Sequence, residues 1–259
     1  MQRRISQART VAQAFLDIVR NNPLGLAQAD TFPRNIEEML LYGLEIPVEY
    51  KINLSLHAAE HYICALQQIP FTLSTDTPDR PLLGLLYVGS PSNLILIKDG
   101  LPKHIRNYVL AHELGHFLTD IFIVRNLWLS TLPEQTDQIL KAFTWQEYDE
   151  WVELQALIKG LPPRARAIVS RGKATLPETT KKEIAADLIA RELLAPWEKA
   201  LKIYKTAKTK TDFIWTIYTN FGLPPKVAYF YYEDIKQNTS PPRDFFSHLF
   251  SPLLDSDAK

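Results

Sequence analysis

Residues 102–121 read PKHIRNYVLAHELGHFLTDI. Within this stretch Ile105, Val109, His112 and His116 recur at three- and four-residue intervals, while Leu110, Leu114, Phe117 and Ile121 follow a second stripe. That spacing predicts an α-helix with apolar cover on two sides, and therefore a buried one. Residues four apart on a helix are surface neighbours, so His112 and His116 present both imidazoles to one side, with Glu113 beside them. Two imidazoles and a carboxylate in the order HExxH suit a zinc ion and a base for the water it activates. Gly115 in mid-helix costs about 1 kcal/mol relative to Ala. Its presence there predicts that another backbone approaches closely at that turn.

A catalytic zinc site needs a third protein ligand and one open position. Downstream, LPETTKKEIAADLIARELLAP at 176–196 predicts a second amphipathic helix, opened by a Thr175 and Glu178 capping box and closed ahead of Pro196. Glu183 and Asp187 lie one turn apart on one face, and Ala186 and Ala190 leave room for a second helix to pack. The pair suits Glu183 as the third metal ligand and Asp187 as a carboxylate that orients a liganding imidazole through its other ring nitrogen. A plainer account uses the same residues: Thr180 and Glu183 also spell a capping box, and Glu183 follows Lys181 and Lys182 on what would be a solvated face.

These two motifs resemble those of the ImmA/IrrE-type zinc metallopeptidases, in which an AHELGH helix is followed by E-x-x-A-(N/D)-x-F-A-x-x-L-L-x-P. The matching residues are 111–116, then Glu183, Ala186, Asp187, Ala190, Leu193, Leu194 and Pro196. Weaker likeness extends to the apolar segments 44–48, 82–88 and 94–97 and to FGLPPKVAYFYY at 221–232. Ile189 and Ala195 replace the usual Phe and Met, and the 66 residues between His116 and Glu183 exceed the family's usual spacing. The resemblance implies a compact zincin-like domain, zinc held by His112, His116 and Glu183, and action on a transcriptional repressor of the helix-turn-helix kind.

A second metal signature competes with the first. His57, Ala58, Ala59, Glu60 and His61 spell the inverted HxxEH pattern, Ser55 predicts a helix cap ahead of it, and Cys64 continues the His57–His61 stripe. No downstream helix supplies this segment with a carboxylate that HELGH does not already claim. We read it as structural, with a lesser alternative in which one of its histidines reaches the main site as an oxyanion donor.

At 259 residues and 46% apolar content, the chain is long enough for one large domain or two small ones with a real core. Twenty-nine basic against 29 acidic side chains leave no net charge to recruit nucleic acid or an anionic membrane. The local groups Arg3, Arg4 and Arg9, and Arg164, Arg166, Arg171 and Lys173, read as solvated faces. Cys64, the single cysteine, excludes an internal disulfide and fits a reducing cytoplasm. No run approaches the roughly 18–20 apolar residues that span a bilayer, and the N-terminus lacks the apolar core of a signal peptide. The expectation is a cytoplasmic protein with no membrane partner.

The predicted fold class is α+β, mainly helical, with a small β-sheet beside the active-site helix. Helices are expected at 7–20, at 36–42 feeding a strand, and as a pair within 211–233 around Gly222 and Pro225; 82–88 and 94–97 predict a hairpin. Three or four helices fit 120–173, where Trp145, Tyr148, Trp151 and Leu154 form an apolar stripe. The expected organisation is an N-terminal helical segment at 1–35, a zincin-like domain at 36–198 with a helical insertion at about 119–175, a helical extension at 199–236 and an irregular tail at 237–259. The activity expected is that of an endopeptidase with Glu113 as general base and zinc as cofactor. Tyr229, Tyr231, Tyr232, His57 and His104 stand as candidate oxyanion donors. The rival expectation is a non-enzymatic regulator that keeps zinc as a structural or sensing element and binds a repressor or DNA. Glu113 speaks against it, because a purely structural site closes its fourth position and has no use for a base.

Overall fold

The computed structural model describes residues 2–22, 29–71, 78–88, 93–122 and 176–238. Beyond residue 122 the insertion helices expected within 120–173, with their Trp145 stripe, lie outside the described residues, as do the Thr175 cap and the tail from 239. The elements in order are α1 (Gln2–Asn21), α2 (Ile36–Leu44), β1 (Val48–Lys51), α3 (Leu56–Leu66), β2 (Gly84–Tyr87), β3 (Leu94–Lys98), α4 (Lys103–Phe117), a π-helical turn (Leu118–Phe122), α5 (Leu176–Leu194), α6 (Trp197–Thr206), α7 (Lys210–Phe221) and α8 (Pro225–Gln237). The described chain is thus mostly helical with one small sheet, an α+β arrangement. None of its helices is long and apolar enough to cross a membrane.

Two compact units divide the chain, and both are discontinuous in sequence. One takes Met1–Glu45, Gly100–Gly115 and Ile184–Lys259; the other takes Ile46–Asp99 and His116–Glu183. The divisions fall inside α4 and α5, each of which runs unbroken through its own.

The first unit is helical because its apolar residues recur at helical spacing and its ends carry stop signals. In α1, Val11, Ala12, Phe15, Leu16 and Val19 are buried on one face, and the helix extends five residues further towards the N-terminus than its apolar spacing predicts. Asn35 caps α2, its side chain accepting from the Glu38 N–H, and Glu37 and Glu38 sit in the first turn where the helix dipole favours acids. Thr209 and Asp212 form a reciprocal capping box on α7, and Gly222 ends that helix at φ +70°, a left-handed conformation that glycine adopts without Cβ strain. Pro225 then starts α8 at a position whose N–H needs no partner.

Polar side chains pin these helices where apolar packing alone leaves their rotation open. Asn107 on α4 donates from Nδ2 to the Arg34 carbonyl at 2.8 Å and accepts the Ile36 N–H at 3.1 Å, tying the helix of the HELGH motif to the start of α2. Arg34 is 4% exposed and donates to the carbonyls of Ala29 and Leu193, so it closes the C-terminal end of α5. Burial pulls its guanidinium down to about 10, which leaves it charged at neutral pH. Arg191 of α5 pairs with Asp234 of α8 at 2.6 Å.

The second unit is built on a three-stranded mixed sheet in the order β1-β3-β2. β2 and β3 pair antiparallel, Leu85 opposite Leu96, as expected of the hairpin; β1 joins β3 in parallel, Glu49 opposite Leu96. The central strand is β3, and its residues Leu94, Ile95, Leu96 and Ile97 are all buried, which explains their unbroken apolar run. Leu54, just ahead of α3, and Ala59, in its first turn, pack with Leu94 and Leu96 in one cluster.

One buried acid gives the first unit a pH dependence. Glu192 of α5, 13% exposed, accepts the Trp197 N–H at 2.9 Å and lies 3.7 Å from Arg9. Burial dominates over that hydrogen bond and the charges of Arg9 and Arg34, and pushes its carboxyl from 4.5 up to about 7. The folded state therefore holds this proton more tightly than the unfolded chain, so the contribution to stability is complete below about pH 4.5 and is lost as pH rises through 7. The loss is on the order of 3 kcal/mol. Denaturant unfolding of Glu192→Gln is expected to gain on wild type as pH rises from 5 to 8; parallel profiles would show that Glu192 titrates normally.

Candidate metal centre

α4 and α5 carry the motif residues, and the geometry of their crossing follows from two small residues. A Cβ on Gly115 would lie 2.8 Å from both the Cα and the carbonyl oxygen of Ala186. The close backbone approach expected at Gly115 is therefore present, and Ala186 supplies the partner surface. Val109, Leu110, Ala111, Leu114 and Phe117 on α4, and Leu188, Ile189, Ala190 and Leu193 on α5, are buried around it.

This contact brings the polar residues of the two helices together. His112 Nδ1 lies 2.9 Å from Asp187 Oδ1, and His116 Nε2 lies 3.5 Å from Glu183 Oε1. His112, His116 and Glu183 each offer a ligand atom, and the three atoms lie within 4.8 Å of one another. Among the described residues they form the one group of three His, Cys, Asp or Glu side chains so placed. Glu183 is interior to a continuous α5, which removes the plainer account of it as a helix cap. Its side chain is 56% exposed and both imidazoles are 19% exposed, so the group opens to solvent on the carboxylate side.

The donor set fits zinc. Ligand atoms 2.0–2.1 Å from a tetrahedral ion lie about 3.3 Å apart. The His116–Glu183 separation of 3.5 Å is within a fraction of an ångström of that edge. Two imidazoles and a carboxylate form the borderline nitrogen and oxygen set that zinc prefers. A bond from His112 Nδ1–H to Asp187 would leave Nε2 with the lone pair that a metal could take, the arrangement by which a carboxylate fixes the tautomer and orientation of a liganding ring. Glu113, half-buried on the same helix, follows His112 by one position.

The electrostatics favour an ionised Asp187. Burial pushes its carboxyl up, but hydrogen bonds from His112 and Tyr108, with the charges of His112 and Arg191, outweigh that and hold it below the ordinary Asp range. Tyr108 donates to Asp187 Oδ1 at 2.8 Å, and burial first, then the Asp187 charge, raises its own hydroxyl well above the ordinary Tyr value. Sequence reasoning passed over Tyr108. The available signal was its place four residues before His112 on the same face, where a hydroxyl stands on a stripe otherwise made of apolar residues and metal-ligand types.

The HxxEH segment forms a helix, capped by Ser55 as its sequence predicts, but its three candidate ligands do not converge. His57 and Cys64 are seven residues apart, a rise of about 10 Å along a single helix, which no common ion bridges. His57 Nδ1 instead lies 3.9 Å from Asp79, and the His61 ring meets Phe71 edge-on. Of the candidate oxyanion donors, Tyr231 is buried with its hydroxyl committed to the Ala195 carbonyl at 3.0 Å. Tyr229 has Lys210 over its ring, Tyr232 packs against Tyr204 and Phe213, and His104 meets Tyr218.

No family model, curated protein or solved structure matches the chain.

Gly115 carries the sharpest test of this geometry. Overpacking costs about 1–3 kcal/mol, and here it exceeds the roughly 1 kcal/mol of helix propensity that Ala regains, because the atoms met are backbone and cannot rotate away. Gly115→Ala is expected to lower the thermal midpoint. A higher midpoint would mean that the two helices part without strain.

Proposed function

We propose that this chain is a zinc-dependent peptidase of the ImmA/IrrE kind, with a zincin-like fold, that cleaves a peptide bond in a regulatory protein. The observation that carries this reading is the group His112, His116 and Glu183, with ligand atoms within 4.8 Å of one another. Two further features support it. Asp187 holds one of the two imidazoles by its Nδ1, and Glu113 stands between the histidines, where a structural site needs no acid.

His112, His116 and Glu183 would hold the ion. A zinc ion there would supply Lewis acidity, lowering the pKa of water towards neutrality and polarising a carbonyl. Glu113 takes the proton of the attacking water and delivers it to the leaving amine, so one carboxylate serves as base and then as acid. Asp187 keeps His112 in one tautomer and one orientation throughout. The motif resemblance supports a helix-turn-helix repressor as the substrate.

The test is zinc content measured beside cleavage of candidate repressors. Wild type should carry one zinc per chain. Glu113→Gln should keep that zinc and lose activity by about 10²–10⁴-fold, the usual worth of a general base. Glu183→Ala should lose the zinc. A wild-type chain without zinc ends the peptidase reading, and full activity in Glu113→Gln ends the assignment of the base.

A further inference from the structure

We infer that Tyr108 is a positioning residue of the metal centre: its hydroxyl fixes the Asp187 carboxylate, and through it the His112 ring. This inference rests on the zinc reading above.

Tyr108 and His112 lie four residues apart on α4, so both side chains leave the same face of the helix from successive turns. Both reach the same atom. Asp187 Oδ1 accepts the Tyr108 hydroxyl at 2.8 Å and faces His112 Nδ1 at 2.9 Å. An ionised carboxylate only accepts, so the Tyr108 hydroxyl and the His112 Nδ1–H are both donors, which leaves Nε2 as the ring nitrogen with a lone pair.

One hydrogen bond leaves an aspartate two soft torsions about which to swing. Two bonds to one oxygen, from two turns of one rigid helix, define where that oxygen sits. The constraint matters because the Asp187 side chain is 48% exposed, so water has access to compete for it. Tyr108 occupies one acceptor site of Oδ1 with a donor that cannot diffuse away.

The direction of the effect follows from what replaces the hydroxyl. In Tyr108→Phe the ring still fills its space, and solvent reaches the vacated side of Oδ1. Water then donates in place of the phenol, so the basicity of Asp187 towards His112 changes little. What is lost is the fixed position, and zinc binding weakens. The loss should be smaller than the 10–100-fold typical of removing the orienting carboxylate itself.

Zinc affinity measured at pH 7 by competition with a chromogenic chelator tests this without reference to catalysis. Tyr108→Phe is expected to weaken zinc about three- to tenfold and Asp187→Ala about 10–100-fold. The double variant should match Asp187→Ala within about twofold, because Tyr108 acts only through that carboxylate. A Tyr108→Phe affinity equal to wild type, or an effect undiminished in the Asp187→Ala background, overturns the inference while zinc in the wild-type chain upholds the metal centre. A wild-type chain that binds no zinc overturns both.

Discussion

At Gly115 and Ala186 the backbones of α4 and α5 meet with no room for one more carbon atom, and the candidate site exists because of that contact. Imidazole and carboxylate side chains are short. Their polar ends come within reach of one another only where the helices bearing them pack directly against each other. The polar contacts then follow in register: His112 faces Asp187 and His116 faces Glu183. Four residues forward on α4 is four residues back on α5, so the helices run antiparallel through the crossing. Each imidazole meets one carboxylate.

A crossing held by a glycine and an alanine has little side-chain bulk of its own to resist sliding, and the polar network supplies that resistance. Asn107 locks α4 to the entrance of α2, and Arg34 reaches the last turn of α5. Arg191 ties α5 to α8 through Asp234. Each of these groups is buried or nearly so, where an unmade hydrogen bond costs about 1–3 kcal/mol. Sliding of either helix would leave several unmade at once. Glu192 belongs to the same network but carries the opposite sign in its effect on stability, since burial makes its charge unwelcome as the solution becomes neutral.

Much of this was legible in the residues. The apolar stripes of α4 and α5, the breakers around Gly222, and the two apolar runs at 82–88 and 94–97 specify helices and hairpin through local periodicity. Gly115 announced a close neighbour, though not which one. The inverted motif at His57 shows the limit of such reading. Its spacing satisfies a metal signature, yet the helix it forms carries the Cys64 thiol two turns beyond His57, and a carboxylate in another segment, Asp79, lies 3.9 Å from the His57 ring. Tyr108 was overlooked for the converse reason: a tyrosine on a buried stripe reads as packing until the acceptor for its hydroxyl is known, and that acceptor lies 79 residues away.

What the amino-acid order determined by itself is whatever acts over one or two helical turns: which segments are helical, which faces are apolar, and which residue types at i and i+4 are able to share an ion. Which of two metal signatures has a carboxylate brought beside its imidazoles was decided by tertiary structure alone. So was the choice between Glu183 as cap and Glu183 as neighbour of His116, along with the partner of the Asp187 carboxylate. Those outcomes depend on where two helices are brought to rest whose facing residues, His116 and Glu183, have 66 residues between them in the chain. Non-local packing and buried hydrogen bonds set that position, and no short-range pattern encodes them.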